Sequence, residues 1–276
     1  MFFFSPFDRD MDPVKVLVVD HNLQGSQNEP FVNLRKSNLP NVEFVSSMKT
    51  ESASDKLRQQ TIDVVFNLEL SIEKYSKTTS YLFISEDDWY FCPNGMLALQ
   101  YLIAKANKHF PTWIGLRCSY GLNGIVIKIE DVPSLTSFLK NKLKQTIGIM
   151  IAPDLLLFEW MNQYDQGTPP RRIVSFRYNL FEHLGAESTF VGRSERYTPK
   201  CYQVLYDWLQ EGERFHNEVC PRDDISPCPP EINGEQPMLI DWDMKSHELH
   251  RDHFPYCDVS INNEEDAKKN ACRIKK

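Results

Sequence analysis

The chain has 276 residues, 41% of them apolar and 12% aromatic, with a formal net charge of −7. That balance suits a packed core and excludes a chain disordered throughout, while the acidity excludes a general nucleic-acid or anionic-membrane surface, which needs clustered Lys and Arg. No run of about 18 apolar residues occurs to span a bilayer: the best stretch, Ile147 to Met161, is broken by Pro153, Asp154 and Glu159.

The first 12 residues are expected to be irregular. Met1-Phe2-Phe3-Phe4 has no basic flank and meets Ser5-Pro6 at once, unlike a signal peptide. Either the protein is soluble as it stands or an anchor lies upstream. Val14 to Val19 is a short β-branched run that reads as a buried strand, delivering Asp20-His21-Asn22 to a loop where a ligand contact can sit. Val42 to Val45 reads as a second strand. Between Ser54 and Lys74, Leu57, Val64, Val65, Leu68 and Ile72 recur at helical spacing. Tyr81 to Ile84 is a core strand, and Pro93, Leu97, Tyr101 and Leu102 continue as a helix with the proline in its first turn. Trp113 to Leu116 and Ile125 to Ile129 are two more strands, separated by a polar turn or substrate loop from Ser119 to Gly124. Asp131 can cap a helix through Leu135, Phe138, Leu139 and Leu143, and Asp154 to Met161 reads as another.

Strand and helix in alternation predict an α/β fold with a mixed central sheet flanked by helices, occupying 13–198 as a single domain. From 199 to 276 the chain reads as one helix, Tyr202 to Leu209, and an irregular tail rich in proline. Five of the seven cysteines lie in that region, where disulfides can staple loops in an oxidising compartment. The odd count leaves at least one thiol unpaired, and the absence of a CxxC pair argues against structural zinc.

Glu86-Asp87-Asp88 directly follows the core strand, where open α/β sheets bind ligands. Three adjacent carboxylates repel one another unless a cation is near, and a hard divalent ion with few protein ligands keeps positions for substrate phosphates. A solvated acidic turn is the alternative reading of the same triplet. His183, in Asn179 to Gly185, is either a packed histidine or a metal ligand, and imidazole beside carboxylates suits manganese better than magnesium. Arg117, Asn123 and Gly124 are candidates for wrapping a sugar, because glycine admits close backbone approach and Arg and Asn supply hydrogen bonds; they are also plain turn formers. Asp154 and Glu159 are candidates for a general base that takes a proton from an attacking hydroxyl, against a reading as surface charges. Asp241-Trp242-Asp243 and the histidines at 247, 250 and 253 mimic metal motifs, but no strand positions them, and they read as tail residues.

Taken in order, Leu57-Arg58-Gln59-Gln60-Thr61-Ile62-Asp63, Tyr81 to Asp88 and Phe181-Glu182-His183-Leu184-Gly185-Ala186-Glu187-Ser188-Thr189 resemble the metal-dependent inverting N-acetylglucosaminyltransferases with a GT-A fold. The stretch from about Lys56 to Gly192 is most similar to the N-acetylglucosaminyltransferase IV family, which branches N-glycans. The resemblance implies UDP-N-acetylglucosamine as donor, a glycan of the mannose-bearing N-glycan type as acceptor, manganese as cofactor and residence in the Golgi lumen. It implies Asp88 as main metal carboxylate, Glu86 and Asp87 in support, His183 near the metal or diphosphate, and donor contacts from Arg58, Gln59 and Asp63. Pro153 to Trp160 resembles the family's acidic helix; alignment on the proline puts Glu159 at the base position, where the family has Asp, and keeps Asp154 as second choice. The region beyond residue 200 does not match the family's carbohydrate-binding module. A non-catalytic relative that binds glycan or nucleotide sugar is the alternative function, and a metal-dependent phosphoesterase a third, disfavoured because no second carboxylate-histidine cluster is evident.

Overall fold

Four consecutive apolar residues leave a strand no polar face to turn toward water, and Tyr81–Ile84 is buried along its whole length. It belongs to a mixed α/β structure, seen in a computed structural model that describes residues 2–4, 14–21, 29–47, 53, 55–86, 89–92, 95–119, 121–145, 150–183, 200–202, 205 and 224–229. In chain order the elements are β1 (Phe2–Phe4), β2 (Lys15–Asp20), α1 (Glu29–Lys36), β3 (Val42–Ser46), α2 (Lys56–Tyr75), β4 (Tyr81–Ile84), β5 (Trp89–Phe91), α3 (Gly95–His109), β6 (Gly115–Arg117) and β7 (Ile125–Lys128). After one 3-10 turn at Ile129–Asp131 come α4 (Val132–Gln145), α5 (Pro153–Asp165), β8 (Ile173–Phe176), β9 (Phe181–His183) and β10 (Ile225–Ser226). Contacts divide the chain into two compact units, Met1–Ser85 with Val126–Gln163, and Glu86–Ile125 with Tyr164–Lys276. This interleaved division differs from the boundaries at 12 and 198 that sequence texture suggests.

In the first unit β2 and β3 run parallel, from Val16 opposite Val42 to Asp20 opposite Ser46. β1 is antiparallel to both its neighbours, Phe2 standing opposite Val16 on β2 and Phe83 on β4. Phe2–Phe4 is thus a strand inside the segment expected to be irregular, formed because two longer strands offer it hydrogen-bonding edges. Helix α2 follows the expected periodicity, burying Val64, Val65 and Leu68, each such side chain contributing roughly 1.5–3 kcal/mol relative to exposure. Asp55 is its N-cap, with extended backbone and a carboxylate that accepts from Leu57 N at 3.0 Å. The same carboxylate accepts from Met150 N at 2.9 Å. α2 packs on α4, which buries Leu135 and Leu139, and α5 buries Leu156, Leu157 and Trp160. Trp160 satisfies its indole N–H on Ser134 Oγ at 3.3 Å.

In the second unit β6 and β8 are parallel, and β10 pairs antiparallel with β8 through Ile225 opposite Phe176. The C-terminal region therefore supplies a strand, where the sequence predicts only a helix and an irregular tail. Tyr202, the expected start of that helix, lies in a turn with a φ of 60°, and residues 206–210 lie outside the described ones. In the same unit α3 buries Ala98, Leu99, Leu102, Ile103 and Ala106. It also buries Lys105, whose ammonium pairs with Asp224, while Tyr101 Oη donates to the other oxygen of that carboxylate at 2.7 Å. β5 and β9 form a separate antiparallel ribbon in which the Phe91 and Phe181 rings stack at 4.7 Å. A disulfide joins Cys92 to Cys201 across 109 residues of sequence. Cys228 is also disulfide-bonded, and Cys118 is a buried free thiol. Among the described residues no helix is long and apolar enough to cross a membrane.

Candidate functional site

Glu86 leads the acidic triplet, and its position is set by one buried side chain. The Glu86 N–H donates to Asn123 Oδ1 at 2.8 Å, and Asn123 Nδ2 donates back to Glu86 Oε2 at 2.9 Å. Asn123 is fully buried, so this reciprocal pair satisfies an amide that would otherwise be costly to desolvate.

The turn carrying Asn123 is held from several sides. Gly124 has a φ of 71°, and a Cβ there would meet Ser119 N at 2.9 Å and Cys118 Sγ at 3.0 Å, so only glycine fits. The Gly124 carbonyl accepts from Cys118 N at 2.9 Å. Arg117, buried at the end of β6, donates through Nη2 to Gly121 O at 3.3 Å. Ser119 Oγ donates to Asn179 Oδ1 at 2.7 Å, and Asn179 Nδ2 reaches Lys200 O at 3.2 Å. Of the three residues expected to wrap a sugar, Asn123 thus holds Glu86, Arg117 braces its own turn, and Gly124 closes that turn. Burial pushes the Cys118 thiol far up, outweighing the nearby Arg117 guanidinium, so it remains a thiol and packs as a small apolar group.

The strand that follows the triplet pairs with the start of the histidine motif. β5 begins at Trp89, the residue after Asp88, and Trp89 stands opposite His183 in β9. Tyr90 then faces Glu182, and Phe91 faces Phe181. Asp87, Asp88 and the His183 side chain lie outside the described atoms, as do Asp241 to Asp243 and the histidines at 247, 250 and 253. Among the described residues no three His, Cys, Asp or Glu side chains gather as a cation site.

A second polar cluster lies in the first unit, at the C-terminal ends of the parallel strands β2 and β3, the edge where α/β sheets bind ligands. His21 follows β2, and its Nε2 lies 2.8 Å from Asn67 Oδ1. An amide oxygen only accepts, so Nε2 carries a proton. Nδ1 lies 3.0 Å from Ser47 Oγ and 3.7 Å from Asp63 Oδ1. Asp63 Oδ1 also accepts from Gln59 Nε2 at 2.8 Å, and the Phe66 ring meets the imidazole edge-on at 5.7 Å. Gln59 and Asp63, expected as donor contacts, therefore join His21 there. Ser47 and Asn67 escaped sequence reasoning, although Asn67 continues the i, i+4 stripe of Gln59 and Asp63 on α2 and was legible as such.

Two of the remaining candidates in the first unit, Arg58 and Glu159, have structural partners. Arg58 Nη2 donates to Leu143 O at 2.7 Å in the last turn of α4, a favourable place for a cation. Glu159 Oε1 accepts from Lys142 Nζ at 2.6 Å. Asp154 sits in the first turn of α5, where the helix dipole favours an acid. No protein-family model matches the chain, and no curated protein or solved structure matches it at a significant level.

Proposed function

We propose that the chain is a metal-dependent inverting glycosyltransferase of GT-A type that transfers N-acetylglucosamine from UDP-N-acetylglucosamine to a mannose-type glycan. The observation that carries this reading is the register of β5 and β9, which sets His183 opposite the residue that follows the acidic triplet. Carboxylates with an imidazole form a donor set that fits manganese, with Asp88 and His183 as ligands and Glu86 and Asp87 beside them. Bound there, the ion would supply charge neutralisation for the departing diphosphate. Asn123 fixes Glu86 by two hydrogen bonds, so the front of the triplet is oriented before any ligand arrives. In the first unit Gln59 and Asp63 are assigned to the donor and Glu159 to deprotonation of the acceptor, with Asp154 as second choice. The Cys92–Cys201 disulfide supports an oxidising compartment such as the Golgi lumen.

Purified protein should release UDP from UDP-N-acetylglucosamine with manganese and a mannose-terminated acceptor. Asp88→Ala should lower that rate about 100-fold, a typical loss when a group stabilising developing charge is removed, with melting temperature retained. Full activity in a folded Asp88→Ala protein would sink the mechanism. One observation favours a non-catalytic relative instead: the Glu159 carboxylate is engaged by Lys142. Manganese-dependent UDP binding in a thermal-shift assay, without transfer to any mannose-terminated acceptor, would decide for that reading.

A further inference from the structure

A neutral imidazole donates from one nitrogen and accepts at the other, whereas a protonated one donates from both. His21, which directly follows β2, has partners in place for either form. Its Nε2–H donates to Asn67 Oδ1 at 2.8 Å, so Nδ1 is the atom that gains or loses a proton. Nδ1 faces two oxygens, Ser47 Oγ at 3.0 Å and Asp63 Oδ1 at 3.7 Å.

With Nδ1 unprotonated, its electron pair accepts from the Ser47 hydroxyl, and the Asp63 carboxylate stands beside a second electron-rich atom. With Nδ1 protonated, Ser47 Oγ becomes the acceptor and its own proton turns to Asp20 O, 3.3 Å away. That carbonyl already takes the Ser47 N–H at 2.9 Å, which fixes it where the second bond needs it. Asp63 then faces a cation. Only hydrogens move between the two arrangements, and both leave Nδ1 and Ser47 Oγ partnered.

The charges around the ring favour the protonated arrangement. The His21 and Asp63 side chains are 18% and 20% exposed, so water and salt screen the pair weakly. Asp20, the residue before His21, is a second carboxylate at the same strand end. Charged residues elsewhere on β2, β3 and α2 have other partners: Lys15 lies over the Tyr75 ring, Glu43 pairs with Lys74, Glu69 pairs with Lys140, and Arg58 donates to Leu143 O.

We propose that His21 is a proton-operated latch between the end of β2 and helix α2, closed by an ion pair to Asp63 when Nδ1 is protonated and relaxed to the Ser47 hydrogen bond when it is not. The latch goes beyond the glycosyltransferase reading and stands without it. A nearby carboxylate favours the charged imidazole, so the tie contributes in mildly acidic surroundings and is lost as the ring deprotonates with rising pH. The C-terminal edge of the parallel pair, where α/β sheets bind ligands, is thereby held more tightly to α2 in acid than at neutral pH.

The test is an NMR titration of the full chain, with the His21 imidazole signals identified by their absence from His21→Gln. Asp63→Asn should lower the pH midpoint of His21 by about one unit. An unchanged midpoint would overturn the latch, and so would a neutral ring that carries its proton on Nδ1. Melting temperature supplies a second reading that holds even if Asp63→Asn does not fold. The gap between wild type and His21→Gln should widen by about 2 °C from about pH 8 to about pH 5.5, the other histidines being common to both proteins. Parallel curves over that range would also overturn it.

Discussion

At the ends of β2 and β3 most of the polar side chains come from one helix: Gln59, Asp63 and Asn67 lie at four-residue intervals on α2 and meet His21 and Ser47. Around Glu86 almost nothing is local. Its partner Asn123 is 37 residues on, Asn179 is 60 residues from Ser119, and Cys92 is 109 from Cys201. The first cluster is specified by helix periodicity and stays assembled as long as α2 does. The second depends on long-range links that each close a large loop, and of these the disulfide also limits the freedom of the unfolded chain. The two regions should therefore fail differently when single groups are removed.

The largest contrast is expected from the disulfide. The double change Cys92→Ala and Cys201→Ala should cost about 2–5 kcal/mol, the usual range for a native bridge in a disulfide-stabilised domain, seen as a lower melting temperature. Hydrogen exchange should show faster opening in β5, β9 and 200–202 than in α2. Equal loss of protection in both units would erase the contrast.

A smaller effect is expected at the turn. Asn123→Asp sets a carboxylate against Glu86 and removes the amide donor, so kcat/KM for UDP-N-acetylglucosamine should fall about tenfold, the lower end of what loss of a group orienting a metal carboxylate costs. A rate equal to wild type would mean that Asn123 braces the turn without orienting the site.

The smallest effect belongs to the first unit. The Met150 N–H, followed by that of Leu57, holds the Asp55 carboxyl below its ordinary value of 3.8, against the opposing effect of burial. A depressed folded pKa means that the stabilisation is complete above the ordinary range and disappears as pH falls through the lowered value. Wild type should thus lose melting temperature from pH 5 toward pH 2.5 more steeply than Asp55→Asn, and parallel curves would show that the cap carries no such linkage.

Sequence periodicity located β2, β3, α2, β4, α3, β6, β7, α4 and α5, because each has a run of apolar residues with its own period or length. It missed α1, whose eight residues carry mostly exposed side chains, and the short strands β1, β5, β8, β9 and β10. Three residues such as Trp89–Phe91 or two such as Ile225–Ser226 have no readable period. They are strands only because a partner far along the chain accepts their hydrogen bonds. The site follows the same rule: Glu86 was legible from its place after a core strand, while the partnership of Asn123 with Glu86 required the folded turn. Arg58 and Glu159 were legible as charges, but their ties to Leu143 and Lys142 were not.

Lys105 is 1% exposed, and the carboxylate it faces belongs to Asp224, beyond the point where the sequence loses its regular texture. A buried ammonium is tolerated only with its counter-charge in place, and removing one partner of such a pair costs about 3–5 kcal/mol. Asp224 is therefore a keystone for α3 rather than trimming at the chain's end. A protein shortened to end at residue 198, where the expected domain of 13–198 stops, would carry a cationic hole where that carboxylate belongs, and the folded unit must extend at least through β10.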